Sequence, residues 1–324
     1  MMKKVLTALL GAALVLGMAA CSNDSDNNAG SAGPLMGGGL QSAPGFIFVP
    51  TANFEGTAID GSSVFISQRK LEMRGVCVCE HEVTQGEYET YCKYGEYNEP
   101  TEACGKGPNF PAYNINWYDA IVYCNLKSEA DYLFPAYKMK VGGEYKTSPA
   151  EWPGVVKAGE GKDARYCGPS YNNADWNAIE FDPNANGWRL PTEAEWEWLA
   201  RGGNLTSKNQ TTYSGSDKIG DVAWYDGNSG GSNHEIKGLA KNALGIYDMS
   251  GSVVEWCWDV FDKIDKNTPA TGPTGDSAED KFVRALRGGC WFYEAEYSGV
   301  GERDYNGAMY RNSFYGFRVV QTAK

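Results

Sequence analysis

Asn186-Gly187-Trp188-Arg189-Leu190-Pro191-Thr192-Glu193-Ala194-Glu195-Trp196-Glu197 is the stretch on which the fold turns. Directly after Pro191, Thr192 and Glu195 have the spacing of a capping box. The threonine hydroxyl accepts from the third helical N–H, and the glutamate reaches back to the threonine N–H. This predicts a helix from Glu193 through Ala200, stopped by Gly202-Gly203. The same grammar recurs upstream. Thr84-Gln85-Gly86-Glu87 predicts a helix over about 85–93, with Tyr88 and Cys92 on one face. Asn116-Trp117-Tyr118-Asp119 opens another, to about residue 129. On it Ala120, Tyr123, Cys124 and Lys127 follow helical spacing, so Cys124 faces the core.

Outside these helices the chain reads as short strands and loops. Strands are expected at 46–50, 63–66, 71–82, 253–260, 282–286 and 317–321, and residues 131–186 read as an irregular insertion. Glu255, Asp259, Arg284, Arg287 and Arg318 sit among apolar neighbours. Charges so placed need partners, and they are expected to pair with one another.

Forty glycines, 20 tyrosines and 10 tryptophans in 324 residues describe a loop-rich, aromatic fold rather than a helical bundle. No internal repeat is visible. The net charge of −12 argues against nucleic acid and against anionic lipid head groups as partners. Only His81 and His234 are present, which excludes a three-histidine metal centre, and Cys77-Val78-Cys79 is too tight for a zinc knuckle.

The front of the chain has a separate role. Met1-Met2-Lys3-Lys4 is basic, residues 5–20 are small and apolar, and the run ends in Met18-Ala19-Ala20-Cys21. This is the pattern of a lipoprotein signal peptide over 1–20, with lipid on Cys21 as the membrane attachment. An ordinary secretory peptide cleaved near Ala20 is the alternative. Residues 21–44 are polar and rich in Gly, Ser and Ala, a flexible tether, which leaves 45–324 as one domain. Acidic residues directly after Cys21 resemble surface-export signals. The expected location is therefore the cell envelope, lipid-anchored at the outer membrane. In that oxidising setting the eight cysteines besides Cys21 favour disulfides over zinc.

Four blocks occur in order. They are Glu82 to Tyr88; Asn116 to Ala120 with Tyr123-Cys124-Asn125; Asn186 to Glu197; and Asn242 to Gly251 through Glu255-Trp256, continuing with Leu286-Arg287-Gly288-Gly289 and Gly316-Phe317-Arg318. Together they resemble the formylglycine-generating enzymes, or sulfatase-modifying factors. The resemblance implies an α+β, C-type-lectin-like fold, with short helices around a small twisted antiparallel sheet.

It also implies a reaction, the oxidation of a sulfatase cysteine by oxygen at Cu(I) held between two cysteines. Soft thiolates suit that ion. The two copper positions correspond here to Tyr293 and Ser298, the serine lining the oxygen pocket to Cys290, and a nearby tryptophan to Val254. Phenol and hydroxyl oxygens do not replace thiolates, so copper is not expected. A Cys257–Cys290 disulfide is expected in preference to a displaced copper pair, because the family places those segments side by side. Cys92 and Cys104 are a second disulfide candidate.

By the same resemblance Asp248, Gly251, Val253 and Glu255 are the ligands of a calcium site. The competing reading has Asp248 and Glu255 satisfying backbone N–H groups or an arginine. A second calcium site is expected to be lost or remodelled, since Ala223 stands at its asparagine. Two functions are carried forward. The first is an inactive, binding or structural module for a protein or glycan ligand. The second is a divergent oxygen-dependent oxidase, for which Tyr293, Glu294, Glu296, Ser298 and Arg303 are the polar candidates. Alternation on a strand would give Glu294 and Glu296 a shared face.

Overall fold

The computed structural model describes residues 45–95, 98–208, 210–269 and 281–323. The expected signal peptide over 1–20, Cys21 and the expected tether over 21–44 lie outside the described residues. No helix among the described residues is long and apolar enough to cross a membrane.

All three capping boxes form. Thr84, Asn116 and Thr192 cap helices Gln85–Tyr91, Trp117–Ala130 and Glu193–Ala200, each with its acidic third residue bonded back to the cap N–H. The Thr192 hydroxyl accepts from Glu195 N–H at 3.2 Å, and Glu195 Oε2 accepts from Thr192 N–H at 2.8 Å. Thr192→Ala is expected to lower stability by about 1 kcal/mol. The check is a urea unfolding midpoint, and an unshifted midpoint would show that the cap contributes nothing.

Two four-stranded sheets frame the core. The first runs Phe46–Val49, Val76–Cys79, Val320–Thr322, Trp188–Arg189, with every pairing antiparallel. The second runs Asp304–Gly307, Val283–Arg287, Val254–Val260, Tyr315–Gly316, and only its last pairing is parallel. Strand Val254–Val260 is buried along its whole length. Its Val254, Trp256 and Trp258 enter one apolar cluster, and Cys257 enters the other. Alternation along a strand produces that division.

Several expectations need correction. Residues 63–66 form a turn, because the Ser62 hydroxyl accepts from Val64 and Phe65 N–H groups and bends the chain. The long strand over 71–82 is two strands, Leu71–Met73 and Val76–Cys79, interrupted at Arg74-Gly75. The insertion at 131–186 is not irregular. It carries a three-stranded sheet of Glu144–Lys146, Tyr137–Val141 and Glu180–Phe181, and a hairpin of Val156–Ala158 with Arg165–Cys167. Trp152 and Trp176 from this region are fully buried, 5.5 Å apart in an edge-on pair. These strands are two to five residues long, too short to show an alternation in sequence.

The disulfide pairs are also corrected. Cys257 and Cys290 are free, because they lie in different clusters on opposite faces of the central strand. Cys92 and Cys104 are free as well. Cys92 is bridged to the chain at Tyr166 and buried, whereas the Cys104 carbonyl accepts from Asn233.

Candidate functional site

The buried charges assemble first. Arg287, on strand Val283–Arg287, donates to Glu193 Oε1 at 3.0 Å and to Glu197 Oε2 at 2.8 Å. Arg303 grips both oxygens of Glu193, at 2.5 and 2.7 Å, and Arg201 takes Glu197 at 2.8 Å. The capped helix Glu193–Ala200 thus supplies the acids, one turn apart, and the second sheet supplies the central arginine. Sequence reading expected Arg287 to pair with strand acids; its partners came from the helix instead. Glu255 does pair with Arg318 as expected, at 2.6 Å. Arg284 lies with its guanidinium carbon 3.8 Å above the Trp117 ring and donates to the Trp258 and Asn177 carbonyls. Burial lowers its pKa to about 10, outweighing the opposing pull of Tyr118 and Asp259.

This network floors a cavity of about 240 Å³ lined by Val254, Leu286, Tyr293, Tyr297, Glu302 and Asp304, with Arg287, Gly288, Gly289 and Arg303. Tyr293 and Val254, two of the four family active-site positions, line it. Ser298 and Cys290 are fully buried behind it. The Ser298 Oγ has no hydrogen-bond partner and lies against Gly289, where an added Cβ would sit 2.4 Å from it. Burial pushes the Cys290 thiol up to about 12, so it is protonated at neutral pH. The cavity lining contains no sulfur. With a phenol, a hydroxyl and a single thiol at these positions, the residues do not supply the pair of thiolates that suits a cuprous ion.

Asp304 and Tyr297 were missed by sequence reasoning. Tyr293 O–H donates to Asp304 Oδ2 at 3.4 Å, and burial raises the pKa of both groups. The signal available in the sequence was the acidic residue opening the polar strand Asp304–Gly307, but its register against Leu286 is what brings it to Tyr293. Glu294 and Glu296 are not a strand pair. They lie at the start of the helical turn Ala295–Ser298, and Glu296 is exposed.

The expected calcium ligands have other partners. Both Glu255 oxygens accept from Arg318, and Oε2 also accepts from the Trp196 ring N–H at 2.8 Å. Asp248 accepts from Lys237 N–H at 2.8 Å, while Ser252 and Val253 donate to Glu82. Burial pushes the Glu82 carboxyl well up, and the neighbouring Asp248 and Glu255 charges add to it. An arginine already occupies the centre of this acid group. Among the described residues no set of three His, Cys, Asp or Glu converges as a metal cage. Asp248 and Glu255 thus hold a backbone N–H and an arginine, the arrangement of the competing reading. Near Ala223 the turn serves the cavity instead: Asp226 N–H donates to the Tyr293 carbonyl at 3.0 Å and Ser229 Oγ to the Trp291 carbonyl at 2.8 Å.

Capped helices packed on two small sheets, with a loop-built cavity over a buried arginine network, define an α+β, C-type-lectin-like scaffold. The sulfatase-modifying factor enzyme 1-like domain matches residues 34–323, and the chain belongs to that family. A protein named chaperone protein LppX, from Paenibacillus barcinonensis, is 30% identical over 289 residues, covering 83% of this chain and 88% of that one. A formylglycine-generating enzyme from Thermomonospora curvata is 30% identical over 140 residues, 39% of this chain and 45% of that one. Among solved structures, Treponema denticola variable protein 1 superposes with a TM-score of 0.67 at 31% identity, over 86% of this chain and 95% of that one.

Proposed function

We propose that this protein is an envelope lipoprotein, anchored through lipid on Cys21 at the outer membrane, whose sulfatase-modifying-factor-like domain is a non-catalytic binding module for a protein or glycan ligand. The observation that carries the reading is the sulfur-free cavity at the family's active-site position, with Tyr293 and Ser298 at the copper positions. The scaffold is kept while the chemistry it would need is missing, and one fold hosts many functions. A relative covered over most of its length is named a chaperone, which suits a role without catalysis.

The test uses the purified full chain. Copper(I) uptake and conversion of a CxPxR-type sulfatase peptide are measured together. The expected result is neither stoichiometric copper nor oxidised peptide. Turnover of the peptide with copper bound would establish the oxidase instead. For the anchor, Cys21→Ser is expected to move the protein from the membrane fraction to the soluble envelope fraction. Unchanged fractionation would remove the lipid from the proposal.

A further inference from the structure

We propose that the cavity takes the cationic end of a lysine or arginine side chain from a polypeptide partner. This rests on the binding-module reading above and names its ligand. Two acids and two phenol rings line the cavity: Asp304, Glu302, Tyr293 and Tyr297. Asp304 is half-buried, and among the described residues its oxygens meet only the Tyr305 N–H, at 2.7 Å, and the Tyr293 O–H, at 3.4 Å. Among the described residues neither acid has an ion-pair partner. The two arginines in the lining are not available to them, since Arg287 is spent on Glu193 and Glu197 and Arg303 on Glu193. A carboxylate held at the edge of a cavity without a cation, beside aromatic faces, is suited to an ammonium or guanidinium group.

Size and surroundings select a side chain of a protein over a free small molecule. At about 240 Å³ the cavity lies below the roughly 300–1,000 Å³ of small-molecule sites. It opens beside an aromatic ridge, Tyr297–Tyr293–Phe314–Phe292, with successive ring centroids 5.7, 5.3 and 5.9 Å apart. Phe292 and Tyr297 are 58% and 52% exposed at its ends. Exposed aromatics flanking a pocket are the composition of protein interface centres. The net charge of −12 draws a basic partner toward this surface.

The experiment titrates the full-length protein with acetyl-Gly-Lys-Gly-amide, its arginine and norleucine counterparts, and glucosamine, following binding by NMR or calorimetry. The cationic peptides are expected to saturate and to weaken with salt, and the norleucine peptide is expected not to bind. Asp304→Asn is expected to weaken the cationic peptides by about tenfold. Tyr297→Ala should weaken them too and Tyr297→Phe should not. A thermal melt of each variant checks the fold. Equal binding of norleucine, glucosamine binding in place of peptide, or an Asp304→Asn protein that melts normally and binds unchanged would each overturn the cation site. Those results leave the binding-module reading standing, because it fails only in the copper and peptide-oxidation assay.

Discussion

Arg287→Ala is expected to destabilise the protein by about 3–5 kcal/mol, the range seen when one partner of a buried ion pair is removed. Arg287 is fully buried and so are Glu193 and Glu197. Besides the two glutamates, Arg287 donates to the Val300 carbonyl at 2.7 Å. Its removal leaves Glu197 with Arg201 alone, places Glu193 on Arg303 alone, and opens a cavity under Trp196, whose ring lies 5.2 Å from the guanidinium carbon. Each glutamate keeps one arginine, so the cost comes from the charge-assisted hydrogen bonds lost to both carboxylates and from the cavity left behind. Arg287→Lys should recover only part of it, because an ammonium cannot span two carboxylates as a planar fork does. Denaturant unfolding measures both variants. A loss below about 1 kcal/mol for alanine would mean that the network is relieved by water and contributes little. Because Arg303 and the cavity floor share Glu193, the alanine variant should also lose whatever the cavity binds.

Gly251→Ala is the second large effect, expected at roughly 2–5 kcal/mol from left-handed backbone strain added to overpacking. Gly251 has φ +74°, and a Cβ there would sit 2.2 Å from the Trp224 carbonyl oxygen. The Cβ position is set by the backbone and its partner is a backbone carbonyl, so no rotamer change relieves the contact. Gly251 N–H also donates to the Gly288 carbonyl at 2.7 Å, and Ser252 N–H donates to the Trp224 carbonyl at 2.8 Å. The segment displaced is therefore the one that holds Tyr293 and Trp291 through Asp226 and Ser229. Besides a lower melting temperature, increased hydrogen exchange is expected across 224–229 and 288–293. Full retention of stability would show that the turn can relax, and the argument from close approach would fail.

The helices were legible because everything that starts them is local. At Thr84, Asn116 and Thr192 the cap and its answering acid lie three residues apart, and the hydrogen bonds they make do not depend on the rest of the chain. The same holds for the missing copper thiols, since the identity of Tyr293 and Ser298 is itself the observation. The partners of the buried charges were not legible. Arg287 meets Glu193 across 94 residues of chain, and which acid it meets depends on how the capped helix lies on the second sheet. Cys257 and Cys290 fall in different apolar clusters, although the resemblance, which places their segments side by side, suggested joining them. The cavity is also a tertiary product: Asp304 reaches Tyr293 only through the register of Asp304–Gly307 against Val283–Arg287. Sequence alone determined the capped helices and the tyrosine and serine at positions 293 and 298, because short-range hydrogen bonds and residue identity suffice for both. Tertiary structure decided the charge pairing and the acid–tyrosine cavity, because distant groups converge only when the packing of the whole core fixes their positions.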